Sequence, residues 1–331
     1  MNKIKKKSGL ILVPFIILAA SHVSFGSNIS KISAGGNFTV GVKNNSTASA
    51  WGANSYGQLG NGSWQDNPVR SCVTSLSNLI ETACGSTHTL GFKNDGTVWT
   101  WGNNAYGQLG NGTTSTTNLP VQANGLTAII KVAGGENHSL AVDSSGIVYA
   151  WGYNAFGQLG DETTDNSSTA NPVHDLNGAI NVAAGANSSY AIISDGTVRA
   201  WGYNGFGQLG DSTTTDKLVP VQVSSLDTVT NIAAGENHAL ALKTNGTVWA
   251  WGYNFSGQLG DETTHDRSTP VQVSALSNIT AIAAGGNFSM ALKNNGTVWA
   301  WAQTVTDSSA MEPRMTGRWQ FKSVIFPTWS P

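Results

Sequence analysis

Three histidines recur at a fixed interval, and they are the first residues in the chain whose spacing suggests chemistry: His88, His138 and His238. Imidazoles repeated in this way could form a ring of metal ligands. The other copies of the same position hold Phe38, Ser188 and Phe288. Two phenylalanines would interrupt such a ring, and no carboxylate follows the histidines at a fixed short spacing. The sequence therefore predicts no metal site, and it predicts that each histidine bonds nearby backbone groups.

Acidic loops are the second candidate. DETTD (161–165), DSTTTD (211–216) and DETTHD (261–266) occupy equivalent positions, where two earlier copies have Asn-Gly. Loops on a rigid scaffold commonly bind partners, so we expect one negative sector of a rim to contact a protein. The predicted partner-binding residues are Asp161, Glu162, Asp165, Asp211, Asp216, Asp261, Glu262 and Asp266, together with the aromatic Trp64 in the first such loop. The alternatives are an ordinary solvated rim and, against the usual loop spacing, calcium binding.

Charge reversal tests this role of the acidic loops. Reversing the charge at Asp161, Asp211 and Asp261 is expected to leave the melting temperature nearly unchanged and to weaken binding of the partner.

Catalytic patterns are weaker still. The segment WGYNAFGQLG from Trp151 is rich in glycine, but its glycine spacing is not that of a phosphate-binding loop and no lysine follows it. The chain has no nucleophile-elbow GxSxG motif at a strand-to-helix turn. The sequence predicts a protein that is not an enzyme and needs no cofactor.

A repeat must position all of these residues. Trp-Gly pairs recur every 50 residues from Trp51 to Trp251, with Trp-Ala at Trp301. Short alternating runs such as HALAL and VWAWG are joined by dipeptides such as Asn245-Gly246, which favour two-residue hairpin turns. Four short strands per copy describe one blade of a propeller. We predict an all-β fold, a β-propeller of six four-stranded blades, with an incomplete seven-bladed ring as the alternative.

Fixed positions in the repeat indicate scaffold roles. The repeated segment WGxNxxGQLG, which we call the string, contains both kinds of fixed residue. We expect its tryptophans to pack between blades and its glutamines to hydrogen-bond backbone groups of the loop. These structural residues are Trp51, Trp101, Trp151, Trp201, Trp251 and Trp301, with Gln58, Gln108, Gln158, Gln208 and Gln258. The tail from Glu312 is interpreted as a degenerate Pro-led outer strand, followed by one more inner-type run that ends at Ile325 and is left over beyond the six blades.

The N-terminal segment differs from the repeats. Residues 1–26 have four lysines, an apolar run and a small-residue end, which is typical of a secretory signal peptide, so residues 27–331 would form the propeller. Signal removal would leave 13 basic against 19 acidic side chains, a balance that disfavours nucleic acid. We expect a secreted or periplasmic protein without stable membrane insertion, a membrane-anchored form being the alternative. Cys72 and Cys84 are expected as buried, reduced thiols because their strands lie too far apart to bridge.

The string xGxVWAWGxNxxGQLG, the Pro-led strand and the xxAGxxHxxAL run together resemble the regulator of chromosome condensation repeat over nearly all of residues 28–301. That resemblance implies a propeller, usually with seven blades. It also implies functions as different as nucleotide exchange on a small GTPase, ultraviolet-B perception and β-lactamase inhibition. We expect an exported module that binds an unidentified protein, or alternatively a surface glycan, through its rim loops. The other candidates are a guanine-nucleotide exchange factor and an inhibitor of a secreted or periplasmic hydrolase.

Overall fold

Hairpin turns divide the chain into short strands. The computed structural model describes residues 29–302 and 322–324, and every regular element in these residues is a β-strand. In the turn at Asp95-Gly96, the Asp95 carboxylate accepts bonds from Thr97 N (3.0 Å) and Thr97 Oγ1 (2.6 Å). Gly96 has a φ of 77°, a left-handed conformation that glycine adopts without strain. The same turn chemistry recurs in other copies and produces the strands.

The strands fall into six sets of four. The first two sets are β1 (Ile29–Ala34), β2 (Phe38–Lys43), β3 (Ala48–Gly52), β4 (Asn67–Cys72), β5 (Leu79–Cys84), β6 (His88–Lys93), β7 (Val98–Gly102) and β8 (Thr117–Gln122). The next two sets are β9 (Ile129–Gly134), β10 (His138–Asp143), β11 (Val148–Gly152), β12 (Ser167–Pro172), β13 (Ala179–Ala184), β14 (Ser188–Ile193), β15 (Val198–Gly202) and β16 (Lys217–Gln222). The last two sets are β17 (Val229–Ala234), β18 (His238–Lys243), β19 (Val248–Gly252), β20 (Arg267–Gln272), β21 (Ile279–Gly285), β22 (Phe288–Lys293), β23 (Val298–Trp301) and β24 (Lys322–Val324).

Each set forms one antiparallel sheet whose strands keep their chain order, β1-β2-β3-β4 in the first. The first strand of each sheet lies at the centre of the ring, and the Pro-led strand lies at its outer edge. This arrangement is a six-bladed β-propeller, and it confirms the predicted fold class and blade number. The described residues hold no seventh blade.

The tail was misinterpreted. Strand β24 pairs with β23, in a register that sets Val298 opposite Val324, and is therefore the outer strand of blade six. Residues 322–324, which the sequence assigns to an extra inner-type run ending at Ile325, thus form an outer strand, and the described residues contain no strand beyond the six blades. The Pro-led strand predicted from Glu312 lies outside the described residues. The sixth copy has lost the GQLG string and the spacing that follows it, and these were the landmarks that located the outer strand in the other copies.

All six blades line one central cavity of about 570 Å³. Backbone bonds join neighbouring blades at its mouth, for example from Glu136 N to Ala186 O (3.0 Å) and from Glu236 N to Gly286 O (3.0 Å). The inner-to-second-strand turns and the loops that precede the outer strands lie at the same end of each antiparallel sheet. We call this the string end, because the WGxNxxGQLG strings lie there.

Apolar side chains fill the seams between blades. Between blades three and four, Leu140 and Val148 pack with Val182 and the completely buried Trp201. Equivalent clusters fill the other seams from blade one to blade six. Burial on both faces of each sheet is what stacked blades require, and complete burial of one such large side chain contributes roughly 1.5–3 kcal/mol.

The first tryptophan is an exception. Trp51 lies on the face of blade one that is turned away from blade two, and it is only half-buried, whereas Trp101 to Trp301 are buried. Its sequence interpretation as a seam residue like the other five therefore needs correction. Within the described residues, no string of another blade covers this face of blade one.

The two cysteines lie at opposite edges of their sheets and are unbridged. Cys72 ends the outer strand β4 and is exposed, so the expectation that it is buried is wrong. Cys84 ends the inner strand β5 and is largely sheltered, and burial raises the pKa of its thiol to about 12. The predicted signal peptide lies outside the described residues. Within the part of the chain that the structure describes, no helix is long and apolar enough to cross a membrane.

Candidate protein-binding site

A buried asparagine holds each string loop. In blade three, Asn154 Oδ1 accepts a bond from Leu159 N (2.9 Å), and its Nδ2 donates to Asp161 Oδ1 (3.1 Å) and Thr163 O (3.1 Å). Sequence reasoning missed this role, although one signal was available, an asparagine three residues after the tryptophan in five copies. These asparagines are Asn54, Asn104, Asn154, Asn204 and Asn254, all completely buried.

The glutamine of the string ties the loop to the next blade. Gln108 Oε1 accepts a bond from Tyr106 N (2.9 Å), while its backbone carbonyl accepts from Trp151 Nε1 (2.8 Å) and Ser139 Oγ (2.8 Å). The same tryptophan-to-carbonyl bond recurs at Gln58, Gln158, Gln208 and Gln258. Gly110 has a φ of 68°, and a Cβ there would lie 2.8 Å from Trp151 Nε1. The string thus connects each blade to the next, through hydrogen bonds and close packing.

Three acidic residues of the predicted partner-binding set, Asp161, Asp211 and Asp261, are hydrogen-bonded to the buried asparagines that hold the string loops. Asp211 Oδ1 accepts bonds from Asn204 Nδ2 (3.1 Å) and Thr213 N (3.0 Å), and Asp211 Oδ2 lies 3.3 Å from Lys217 Nζ. Burial alone would raise the pKa of Asp211, but the bonds from Thr213, Lys217 and Asn204 outweigh it and lower the pKa. Asp161 and Asp261 make the equivalent bonds.

These bonds contradict the expectation that charge reversal at the three positions leaves stability unchanged. The Asp211 side chain is only 8% exposed and the Asp261 side chain 7%. A lysine there would lose the loop bonds and bury an unpaired charge. The carboxylates at these three positions therefore have a structural role that the polar, acidic loop sequences did not indicate.

The remaining acidic residues reach solvent. Glu162, Asp165 and Glu262 are exposed, and Glu162 lies 3.6 Å from His174 Nε2. Asp216 and Asp266 are also exposed, although one oxygen of each accepts the backbone N–H of the buried asparagine in its own loop. All five lie at the string end.

Trp64 also belongs to the predicted partner-binding set. It is 47% exposed and lies in the string-end loop of blade one. Partner binding by Trp64 and by the exposed acids stays a prediction.

The seam histidines, His88, His138 and His238, each bond a serine hydroxyl of the next blade, a side-chain partner that the sequence did not predict. His88 Nε2 lies 2.9 Å from Ser139 Oγ of the next blade, and the other two make the equivalent contact. A Cβ on Gly135 would lie only 2.1 Å from His138 Cε1. This close approach explains why a glycine lies three residues before each histidine. Burial lowers the pKa of these imidazoles to about 4, about 3 and about 4, respectively.

Aromatic side chains form a continuous arc at the string end, across blades two to five. Successive ring centroids lie 4.7–6.5 Å apart, and most pairs are tilted or edge-to-face. The arc, in spatial order, comprises Tyr106, Tyr153, Phe156, Tyr203, Phe206, Tyr253 and Phe255. Phe255 is 67% exposed and Tyr106 39%, while the inner five are half-buried by one another.

The aromatic arc bears on the hydrolase-inhibitor candidate. An inhibitor of a hydrolase is expected to have an aromatic-rich rim, and in the sequence Trp64 is the aromatic residue that stands out in the loops. The arc supplies seven rings that sequence reasoning missed. Its signal was an aromatic residue two and five positions after the tryptophan in copies three and four, Tyr153 with Phe156 and Tyr203 with Phe206.

Two glutamates occur in the inner turns to which residues of the arc are hydrogen-bonded. Tyr153 N donates to Asn137 O (2.9 Å) and Tyr253 N to Asn237 O (2.9 Å), in the turns that line the cavity mouth. The residues before these asparagines are Glu136 and Glu236, both exposed. Within the described residues, no cluster of three or more His, Cys, Asp and Glu side chains is arranged to hold a metal ion.

Comparison with known proteins identifies the family. The model of the RCC1-like domain matches residues 11–305, which is most of the chain. Yeast RCC1 (Prp20), solved in complex with Kap60, is 22% identical over 83% of this chain and 70% of its own, with a TM-score of 0.74. Human WBSCR16 is 24% identical over 85% of this chain and 77% of its own, also with a TM-score of 0.74.

A second structure, of Prp20p from Saccharomyces cerevisiae, described with its binding properties to Gsp1p and histones, is 22% identical over 83% of this chain and 72% of its own, with a TM-score of 0.72. At these identities the likeness establishes the fold alone. No curated protein matches the sequence. The matched family model and the repeat on which the seams depend lead to one conclusion: the chain belongs to the RCC1-like domain family.

Proposed function

We propose that this protein is an exported binding module that engages a partner protein through its string end. The aromatic arc is the observation that carries the proposal. Tyrosine and phenylalanine that a propeller does not need for its seams are concentrated on one end, where they remain accessible. Aromatic residues are enriched in the central parts of protein interfaces, whereas a surface that only solvates a scaffold is polar.

The geometry of the string end supports this role. Backbone bonds around the cavity mouth and the asparagine latches hold the loops rigidly, so the aromatic side chains need little ordering on binding. The exposed acids Glu162, Asp165 and Glu262, with Trp64, would contribute to the rim of the interface. Export follows from the signal-peptide pattern of residues 1–26, and the proposed location is secreted or periplasmic.

Inhibition of a secreted or periplasmic hydrolase is the more specific candidate that the aromatic arc favours. A row of rings on a rigid end can fill the mouth of an active-site cleft, which is concave and largely apolar. Nucleotide exchange on a small GTPase is the competing candidate. Each copy from 51 to 301 is held to 50 residues, and this leaves no room for a large wedge between the blades.

Capture of the partner by tagged, mature protein from intact producing cells tests the proposal. The variant pair Tyr203→Asn and Phe206→Ser introduces residues that other copies carry at the same positions, Asn103 and Ser256. The control pair Ile130→Thr and Ile180→Thr removes exposed apolar side chains at the opposite end, again with residues from other copies.

We expect the first pair to lose the captured protein and the second pair to retain it. Equal capture by both pairs would overturn the proposal. Stimulated nucleotide release from a small GTPase by the purified protein would favour the exchange-factor candidate instead.

A further inference from the structure

We propose that the segment of the partner that lies along the aromatic arc is cationic, rich in arginine or lysine. This inference rests on the proposed function and specifies the chemistry of the partner. It begins from the charges that surround the arc.

Acidic residues occur in the turns and loops that are hydrogen-bonded to the arc or lie directly beside it in the chain, on both its inner and its outer side. On the inner side, Glu136 and Glu236 lie at the cavity mouth. Each directly precedes an asparagine whose backbone carbonyl accepts a hydrogen bond from a tyrosine of the arc, Tyr153 or Tyr253. On the outer side, Asp266 Oδ1 accepts Asn254 N (2.7 Å), directly after Tyr253 in the chain. Asp216 Oδ1 likewise accepts a hydrogen bond from the backbone N–H of Asn204, the residue after Tyr203.

Basic side chains at the string end are already paired. Within residues 29–302, the lysine and arginine of this end are Lys217 and Arg267, at the starts of β16 and β20. Lys217 Nζ lies 3.3 Å from Asp211 Oδ2, and Arg267 Nε lies 2.7 Å from Asp261 Oδ2. Asp216 and Asp266 each directly precede one of these two cations in the chain, but the cations pair with Asp211 and Asp261 instead. Within residues 29–302, Glu136, Glu236, Asp216 and Asp266 therefore make no ion pair.

The chain itself places cations on rings at its other end. Lys93, Lys243 and Lys293 lie over the rings of Trp99, Trp249 and Trp299, with distances of 5.6, 5.5 and 4.9 Å from Nζ to the ring centroid. At the string end, by contrast, Lys217 and Arg267 are paired with carboxylates, and no lysine or arginine of residues 29–302 lies over a ring of the arc. A guanidinium on the face of such a ring, with a carboxylate beside it, gains both the ring quadrupole and charge pairing.

A fluorescein-labelled nona-arginine peptide is the probe, and anisotropy with the mature protein is the measurement. The Tyr203→Asn/Phe206→Ser pair removes two rings, and Glu136→Ala/Glu236→Ala removes two carboxylates with the residue that the fourth copy carries, Ala186. A matched control, Asp95→Asn/Asp195→Asn, removes two carboxylates at the opposite end with the residue of other copies. A nona-glutamate peptide controls for the label.

We expect each string-end pair to weaken binding of the nona-arginine peptide by about tenfold, from cation–π and charge contributions of ordinary size. The control pair should change it less than about twofold, as surface charges far from the peptide do. Equal weakening by the control pair, or no measurable binding of the peptide, would overturn the inference. Partner capture that is still lost on changing Tyr203 and Phe206, without peptide binding, would leave the proposed function intact and reject only the cationic partner.

Discussion

Truncating a seam tryptophan measures how the blades are held together. Trp151 is completely buried between blades two and three, among residues such as Phe92, Leu126 and Val132. Trp151→Ala removes these contacts and the bond from Nε1 to Gln108 O (2.8 Å). Truncation of a buried tryptophan costs roughly 3–5 kcal/mol, a large part of the stability of an ordinary domain.

Two further variants separate packing from hydrogen bonding. Trp151→Phe keeps most of the apolar contact and loses the indole donor. Ser139 Oγ still donates to Gln108 O (2.8 Å), so the carbonyl is not left unpaired and the cost should be about 1–2 kcal/mol. Trp51→Ala removes the same residue type where the side chain is only half-buried, and should cost about 1–2 kcal/mol.

Equilibrium unfolding in urea, followed by far-ultraviolet circular dichroism at neutral pH, provides the comparison. We expect Trp151→Ala to lower the free energy of unfolding by about 1–4 kcal/mol more than Trp51→Ala does. An equal loss for the two variants would refute the reasoning, because it would mean that the seams do not depend on indoles packed between blades.

Three other outcomes follow from the structure. The seam histidines are neutral in the folded protein, and their folded pKa values lie below the ordinary 6.5, so stability is complete above pH 6.5 and falls as the pH decreases toward about 4. The urea midpoint should follow this course, and a variant with phenylalanine at all three positions should show a flatter profile. Asp211→Lys should lower the melting temperature, at a cost of about 1–3 kcal/mol, whereas Asp165→Lys should leave it unchanged, by differential scanning calorimetry. Iodoacetamide should modify Cys72 in the native protein and Cys84 only after unfolding, as peptide mass spectrometry would show.

The fold was predictable because its determinants repeat. Turn dipeptides such as Asp95-Gly96 and alternating apolar residues occur at the same place in each copy, so errors in one copy are corrected by the others. Prediction failed where the repeat ends. Strand β24 is the outer strand of the copy that lost its string, and Trp51 lies on the one face of blade one that no described string covers.

The candidate site was less predictable, for two physical reasons. Asp211 belongs to a polar loop, and nothing in its local sequence distinguishes an acid that accepts loop N–H groups from an acid in solvent. The aromatic arc joins rings from different blades. Phe156 and Tyr203 are 47 residues apart in the chain, but their ring centroids lie 5.0 Å apart. Only the packing of neighbouring blades brings the two rings together.

Photo-crosslinking tests the proposed binding surface most directly. Benzoylphenylalanine would be incorporated at Phe206, in the aromatic arc, or at Ile130, which is exposed at the opposite end. The producing cells would then be irradiated and the tagged protein recovered under denaturing conditions. The account predicts one discrete covalent adduct with a second protein from position 206 and none from position 130. An adduct from position 130 alone would contradict it.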